Sequence, residues 1–155
     1  MRFHMIDRVE EICYGKYITA VKCVSLSNDV FDYHFPGNPV FPGTLIIEGL
    51  AQLSGMFLEL TVNRGQPHRK LCIPTIVDKM KFRRTAQPGD RMEMRADIVS
   101  LRDDYAVVKV KACIDGETCT EGELTFAFFN ARDEKLPRAR LDVYDVYMKR
   151  AREVS

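Results

Sequence analysis

Two of the 155 residues stand out for the chemistry they could do: His34, one of three histidines, and Glu48, a carboxylate inside a long apolar run. An unperturbed imidazole titrates near pH ~6.5, so His34 can act as a general base at cellular pH without large tuning. Glu48 is followed at i+4 by Gln52, and with Thr44 and Glu59 the two form one polar stripe on an otherwise apolar rod. A buried, unpartnered carboxyl tends to take up a proton, and a protonated carboxyl near neutral pH is what a general acid needs. From the helix alone a second orientation stays open, with Glu48 turned to solvent on an exposed edge. Between His34 and Glu48 lies Gly43, where unpaired N–H groups and the positive end of a helix dipole would face outward. Base, acid and backbone donor suit one reaction. The base takes a proton alpha to a thioester carbonyl, the N–H holds the enolate-like oxygen, and the acid protonates a departing 3-hydroxyl.

These groups need a stiff loop and a long helix to hold them. Residues 34–43 read His-Phe-Pro-Gly-Asn-Pro-Val-Phe-Pro-Gly, and three prolines with two glycines forbid a regular element there. Residues 44–60 then predict a helix, with Pro42 near its first turn and Gly65 and Pro67 beyond its end. On either side the pattern is strand-like: 6–13 and 16–26 joined at Gly15, then 71–82, 90–101, 105–115 and 118–129. Val107, Lys109 and Lys111 alternate with Val108, Val110 and Ala112, which predicts an antiparallel sheet covered on one face. Such a helix buries its sides only if the sheet wraps it. After Pro137 an amphipathic helix is expected over about 142–152, with Val143, Val146, Tyr147 and Arg150 on one side.

Length and composition support one α+β domain with a proper core. A net charge of +1 excludes a general nucleic-acid binder. The five cysteines lack Cys-x-x-Cys spacing and read as small buried hydrophobes, with no call for a metal or other cofactor. Leu45–Leu60 carries Glu48, Gln52 and Glu59 and falls short of a bilayer span, and no signal peptide is visible, so a soluble, cytoplasmic protein is expected.

The run His34-Phe35-Pro36-Gly37, Pro39-Val40-Phe41-Pro42-Gly43, Leu45-Ile46-Ile47-Glu48-Gly49-Leu50-Ala51-Gln52 resembles the FabZ-type 3-hydroxyacyl-acyl-carrier-protein dehydratases. The stretch 78–84, Pro88-Gly89-Asp90 and the opening 5–9 extend the resemblance over roughly 3–130, leaving about 131–155 as a C-terminal extension to one domain. It implies a hot-dog fold, an antiparallel sheet wrapped around a long central helix. It also implies a homodimer, in some members a trimer of dimers, whose sites lie at the dimer interface with histidine and acid from different subunits. By motif position His34 is the base, Glu48 the acid, Gly43 the oxyanion donor and Gln52 a support for Glu48. The implied reaction takes (3R)-3-hydroxyacyl-carrier protein to the trans-2-enoyl product in fatty-acid or related acyl synthesis. A sister group that also isomerises has Asp where this chain has Glu48, which favours plain dehydration. Asn38 replaces a common His or Lys, and Gly49 a usual Ala, which should loosen the helix.

Lys79, Lys81, Arg83, Arg84, Arg91 and Arg95 against Asp90 and Glu93 give residues 79–95 a net +4, and Lys79, Lys81, Arg83 and Arg84 are candidate docking residues for an acidic carrier protein. An ordinary solvated strand face is the competing reading. His4 and His68 read as exposed bystanders, and Met56, Phe57 and Met80 as core residues that could also line an acyl tunnel. Two other functions share the fold: an acyl thioesterase, and a non-catalytic carrier-binding subunit.

Overall fold

The computed structural model describes residues 3–155. Its elements are β1 (Arg8–Cys13), β2 (Tyr17–Cys23), a 3-10 turn (Asp29–Asp32), α1 (Gly43–Val62), β3 (Lys70–Phe82), β4 (Arg91–Leu101), β5 (Tyr105–Ile114), β6 (Glu117–Asn130), α2 (Lys135–Met148) and β7 (Arg152–Glu153). The sheet runs β3-β6-β5-β4-β2-β1-β7, antiparallel throughout except for the short β1–β7 pair.

The strand alternation read from the sequence decides which face meets the helix. On β5, Ala106, Val108, Val110, Ala112 and Ile114 are buried while Lys109 and Lys111 face out. Met92, Met94 and Ala96 of β4 and Ile18 and Ala20 of β2 continue that inner surface. Against it lie Ile46, Leu50, Leu53, Phe57 and Leu58 of α1, all at or near zero exposure. Alanines on the central strands let the rod sit deep in the curved sheet, which is the wrapping the apolar helix required. At 20 residues α1 is long and apolar enough to cross a bilayer, beyond what Leu45–Leu60 suggested, yet here its apolar sides pack on the sheet.

Gly49 has a packing reason. A Cβ there would lie 2.7 Å from Met94 Cε and 2.9 Å from the Met5 carbonyl oxygen. Close packing of the N-terminal segment and β4 therefore offsets the helix propensity the glycine loses.

The extension differs from expectation. Helix α2 starts at Lys135 rather than about 142, with Pro137 in its first turn, and stops at Met148, so Arg150 lies outside it. It packs on β1. Tyr147 is buried and Val143 joins the core, but Val146 is 62% exposed. Cys13, Cys72 and Cys119 are buried as read, whereas Cys23 is exposed and Cys113 half-buried.

Candidate active site

His34 is held by its own loop. Its backbone N–H donates to Val30 O at 3.0 Å, its carbonyl accepts from Val40 N–H at 3.0 Å, and its Nδ1 lies 2.6 Å from Val40 O. A carbonyl can only accept, so Nδ1 carries the hydrogen and neutral His34 presents an unprotonated Nε2. Buried Val30 and Phe31 anchor the turn before it, Phe31 packs on Phe41, and the Phe41 N–H donates to Ala86 O at 2.8 Å. Phe35 stacks on the imidazole at 4.1 Å.

The loop hands over to α1 at Pro42, whose carbonyl accepts from both Leu45 and Ile46 N–H. The Gly43 and Thr44 amides are left without acceptors among the described residues, at the positive end of a 20-residue helix. A Cβ on Gly43 would lie 2.6 Å from the Phe82 ring, so any side chain here would push that exposed ring aside. Val40, Gly43, Thr44, Phe82, Arg83 and Arg84 line part of a cavity of about 490 Å³ at this point.

Glu48 is half-buried one turn further along α1. Its Oε1 accepts from Gln52 Nε2 at 2.9 Å. Gln52 in turn accepts from Met5 N–H and donates to Phe3 O, both at 3.0 Å, so the N-terminal segment fixes the amide that orients the carboxyl. Glu48 opens into a second cavity of about 400 Å³, which His34 does not line. Within one chain the expected base and acid therefore do not meet in a common cavity.

The polar stripe hid a second centre. Glu59 has zero exposure. Oε1 accepts from Tyr144 OH at 2.9 Å and His68 Nε2 at 3.1 Å, and Oε2 from Cys72 N–H at 3.0 Å and from the Arg140 guanidinium. Burial, then the Glu59 charge, pushes the Cys72 thiol and the Tyr144 phenol well above their usual ranges. His68 is thus no exposed bystander: its side chain is 8% exposed and partners a buried carboxylate. His4 stays exposed, with its Nδ1 2.5 Å from Tyr147 OH, a phenol that burial pushes up to about 12. Arg140 and Tyr144 are an i, i+4 pair on α2, but Arg140 precedes the helix expected from the sequence, and nothing in the sequence ties either residue to Glu59.

The basic residues separate into two groups. Arg83 pairs with Glu121, Arg84 with Asp115 and Glu117, and Lys79 lies 3.9 Å from Glu123, while Lys81 has no ion-pair partner among the described residues. Arg91 pairs with Glu10 and Glu93, and Arg95 with Asp97 beneath Tyr17, on β4, which β6 and β5 separate from β3. A local +4 overstated the field because neighbouring strands supply the acids.

Residues 1–123 match the model of the FabA-like domain. A 3-hydroxyacyl-[acyl-carrier-protein] dehydratase FabZ of Campylobacter curvus is 38% identical over 125 residues, covering 79% of this chain and 84% of the relative. The chain belongs to the FabA-like family, among its FabZ-type members. Solved structures agree on the hot-dog fold. A dehydratase heterocomplex from Xenorhabdus doucetiae superimposes with a TM-score of 0.68 at 13% identity, covering 88% of this chain and 89% of that one. A mutant thioesterase from Pseudomonas aeruginosa gives 0.64 at 19% identity, covering 80% and 81%. The FabA-like match takes in the His34 loop, Glu48, Gln52 and Glu59, whereas Arg140 and Tyr144 lie beyond it. In this FabZ-type chain, then, α2 completes a buried cluster from outside the family domain.

Proposed function

We propose that this protein removes water from a (3R)-3-hydroxyacyl thioester carried on an acyl carrier protein, giving the trans-2-enoyl thioester. One observation carries the reading beyond the family: the Val40 carbonyl holds Nδ1–H of His34, leaving Nε2 free as a base. Nε2 takes the C2 proton, and charge moves onto the thioester oxygen, where the Gly43 amide stabilises it. The C2=C3 bond forms as C3–O breaks, and Glu48, aimed by Gln52, gives the leaving hydroxyl its proton. The proton on His34 then returns to solvent and Glu48 is reprotonated, so the only net product besides the enoyl thioester is water. No cofactor enters this scheme.

The working unit is a homodimer, with His34 from one subunit and Glu48 from the other. The separation of the two groups within a chain supports this, as does β3 at the edge of the sheet, where Ile73, Ile76, Val77 and Phe82 are 47–55% exposed. The opposite edge is only the two-residue β7. A long apolar edge strand left uncovered invites pairing, and two β3 edges would join as one continuous sheet. Arg83 and Arg84 line the cavity at the helix N-terminus, and with Lys79 and Lys81 of β3 they receive an acidic carrier protein in the cytoplasm.

Incubation with a 3-hydroxyacyl-carrier thioester tests the activity. Enoyl product with the thioester intact supports it, release of free carrier thiol makes the protein a thioesterase, and binding without turnover makes it a carrier-binding subunit. For the dimer, Ile76→Lys should shift sedimentation from dimer to monomer and abolish turnover. An active monomer would contradict the shared site.

A further inference from the structure

The support behind Glu48 extends past Gln52. Both hydrogens of the Gln52 amide are used, one on Glu48 Oε1 and one on Phe3 O, while its oxygen accepts from Met5 N–H. The two backbone groups that grip the amide therefore flank one residue, His4. They are fastened unequally. Met5 is 3% exposed and belongs to the core, so its N–H stays in place without help. Phe3 is 59% exposed, and a segment that packs so little holds its place only when tied down. The tie is Tyr147. Its hydroxyl lies 2.5 Å from His4 Nδ1, with the two rings edge to face at 5.8 Å. Burial, then the Asp7 charge, pushes the phenol up to about 12, so it stays protonated and donates to the bare Nδ1 of a neutral imidazole. The contact from Lys22 Nζ to the His4 carbonyl is long at 3.4 Å and exposed. Tyr147 itself is buried, and Arg140, Tyr144 and Tyr147 share one face of α2 at i, i+4 and i+7. The first two are bonded to Glu59, so the phenol is mounted on a helix already fixed to the one that carries Glu48. His4, read from the sequence as a bystander, joins the two.

Resting on the dehydratase reading, we propose that Tyr147 is a positioning residue for the reaction: it grips His4, so Phe3 O stays on the Gln52 amide and that amide keeps Glu48 aimed. Tyr147 lies beyond residues 1–123, the FabA-like match, so this chain's own extension takes part in its chemistry. The hydroxyl acts only through this relay. Without it one Gln52 hydrogen loses its acceptor, and the amide turns away from the carboxyl for part of the time. The acid then meets the leaving hydroxyl less often, which lowers kcat and leaves substrate binding alone.

Tyr147→Phe in the full-length protein tests this, because it removes the hydroxyl and keeps the buried ring. On a 3-hydroxyacyl-carrier thioester kcat should fall about fivefold, with KM within about twofold of wild type, the size of effect that one lost hydrogen bond carries. His4→Ala, a change at an exposed residue, should lower kcat by the same factor. Either change made on top of Gln52→Ala should add nothing further, since the relay ends at that amide. Independently of turnover, hydrogen exchange at the Gln52 side-chain NH2, followed by NMR, should be about fivefold faster in Tyr147→Phe. The Val24 amide, bonded to Asp90 O, should keep its rate. Losses that multiply with Gln52→Ala, a KM that rises while kcat holds, or Gln52 exchange at the wild-type rate would overturn the relay. A wild type without turnover would instead sink the dehydratase reading, and the exchange rates would still decide whether Tyr147 holds Gln52.

Discussion

Replacing His34 by Ala is expected to lower kcat/KM on a 3-hydroxyacyl-carrier thioester by about 10³-fold, while the protein keeps its fold. Loss of a positioned proton-transfer group typically costs 10²–10⁴-fold. Glu48→Gln should cost a similar factor. Its amide oxygen still accepts from Gln52, so the geometry of the Met5–Gln52 support survives and only the transferable proton is lost. Both side chains are half-buried rather than core, so the melting temperature should move by only a few degrees. Measured together, kcat/KM and thermal unfolding separate chemistry from folding. A variant that melts normally and turns over within a few-fold of wild type would remove that residue from the mechanism.

The second large effect is on stability. Arg140→Met leaves the wholly buried Glu59 carboxylate without its cation, and breaking a buried pair from one side typically costs about 3–5 kcal/mol. For a chain of this size that corresponds to roughly 10 °C of melting temperature. Combining it with Glu59→Gln removes the orphaned charge but keeps an acceptor for Tyr144 and His68, so most of the loss should return. Urea unfolding of the two single variants and the double variant gives the comparison. If the single change is nearly silent, the cluster is not what fastens α2 to the domain.

Much of this was readable from residue order because local rules and tertiary structure agree. The Pro/Gly density of 34–43 permits only a fixed loop, the period-2 alternation of 105–114 permits only a half-covered strand, and an apolar rod between strands can only be wrapped. The Glu48–Gln52 pair at i+4 was likewise written in the spacing. Hidden were relations across long sequence distance. Glu59 and Arg140 are 81 positions apart, and no periodicity announces that a tail helix will place a guanidinium on a carboxylate of α1. The +4 of residues 79–95 failed for the same reason: its counter-charges, Glu121 and Glu10 among them, come from other strands. Pro137 looks like a boundary in the sequence, yet it sits in the first turn of α2, so the helix begins ahead of it.

The most direct measurement mixes the two inactive variants. His34→Ala and Glu48→Gln chains are dissociated, combined in equal amounts and reassociated. If each site takes its histidine and its acid from different subunits, every heterodimer holds one intact site beside one doubly damaged site. Random pairing should then restore about one quarter of wild-type turnover. Demonstrated subunit exchange with no recovery would show that His34 and Glu48 do not act together across two chains, and the elimination described here would lack its paired base and acid.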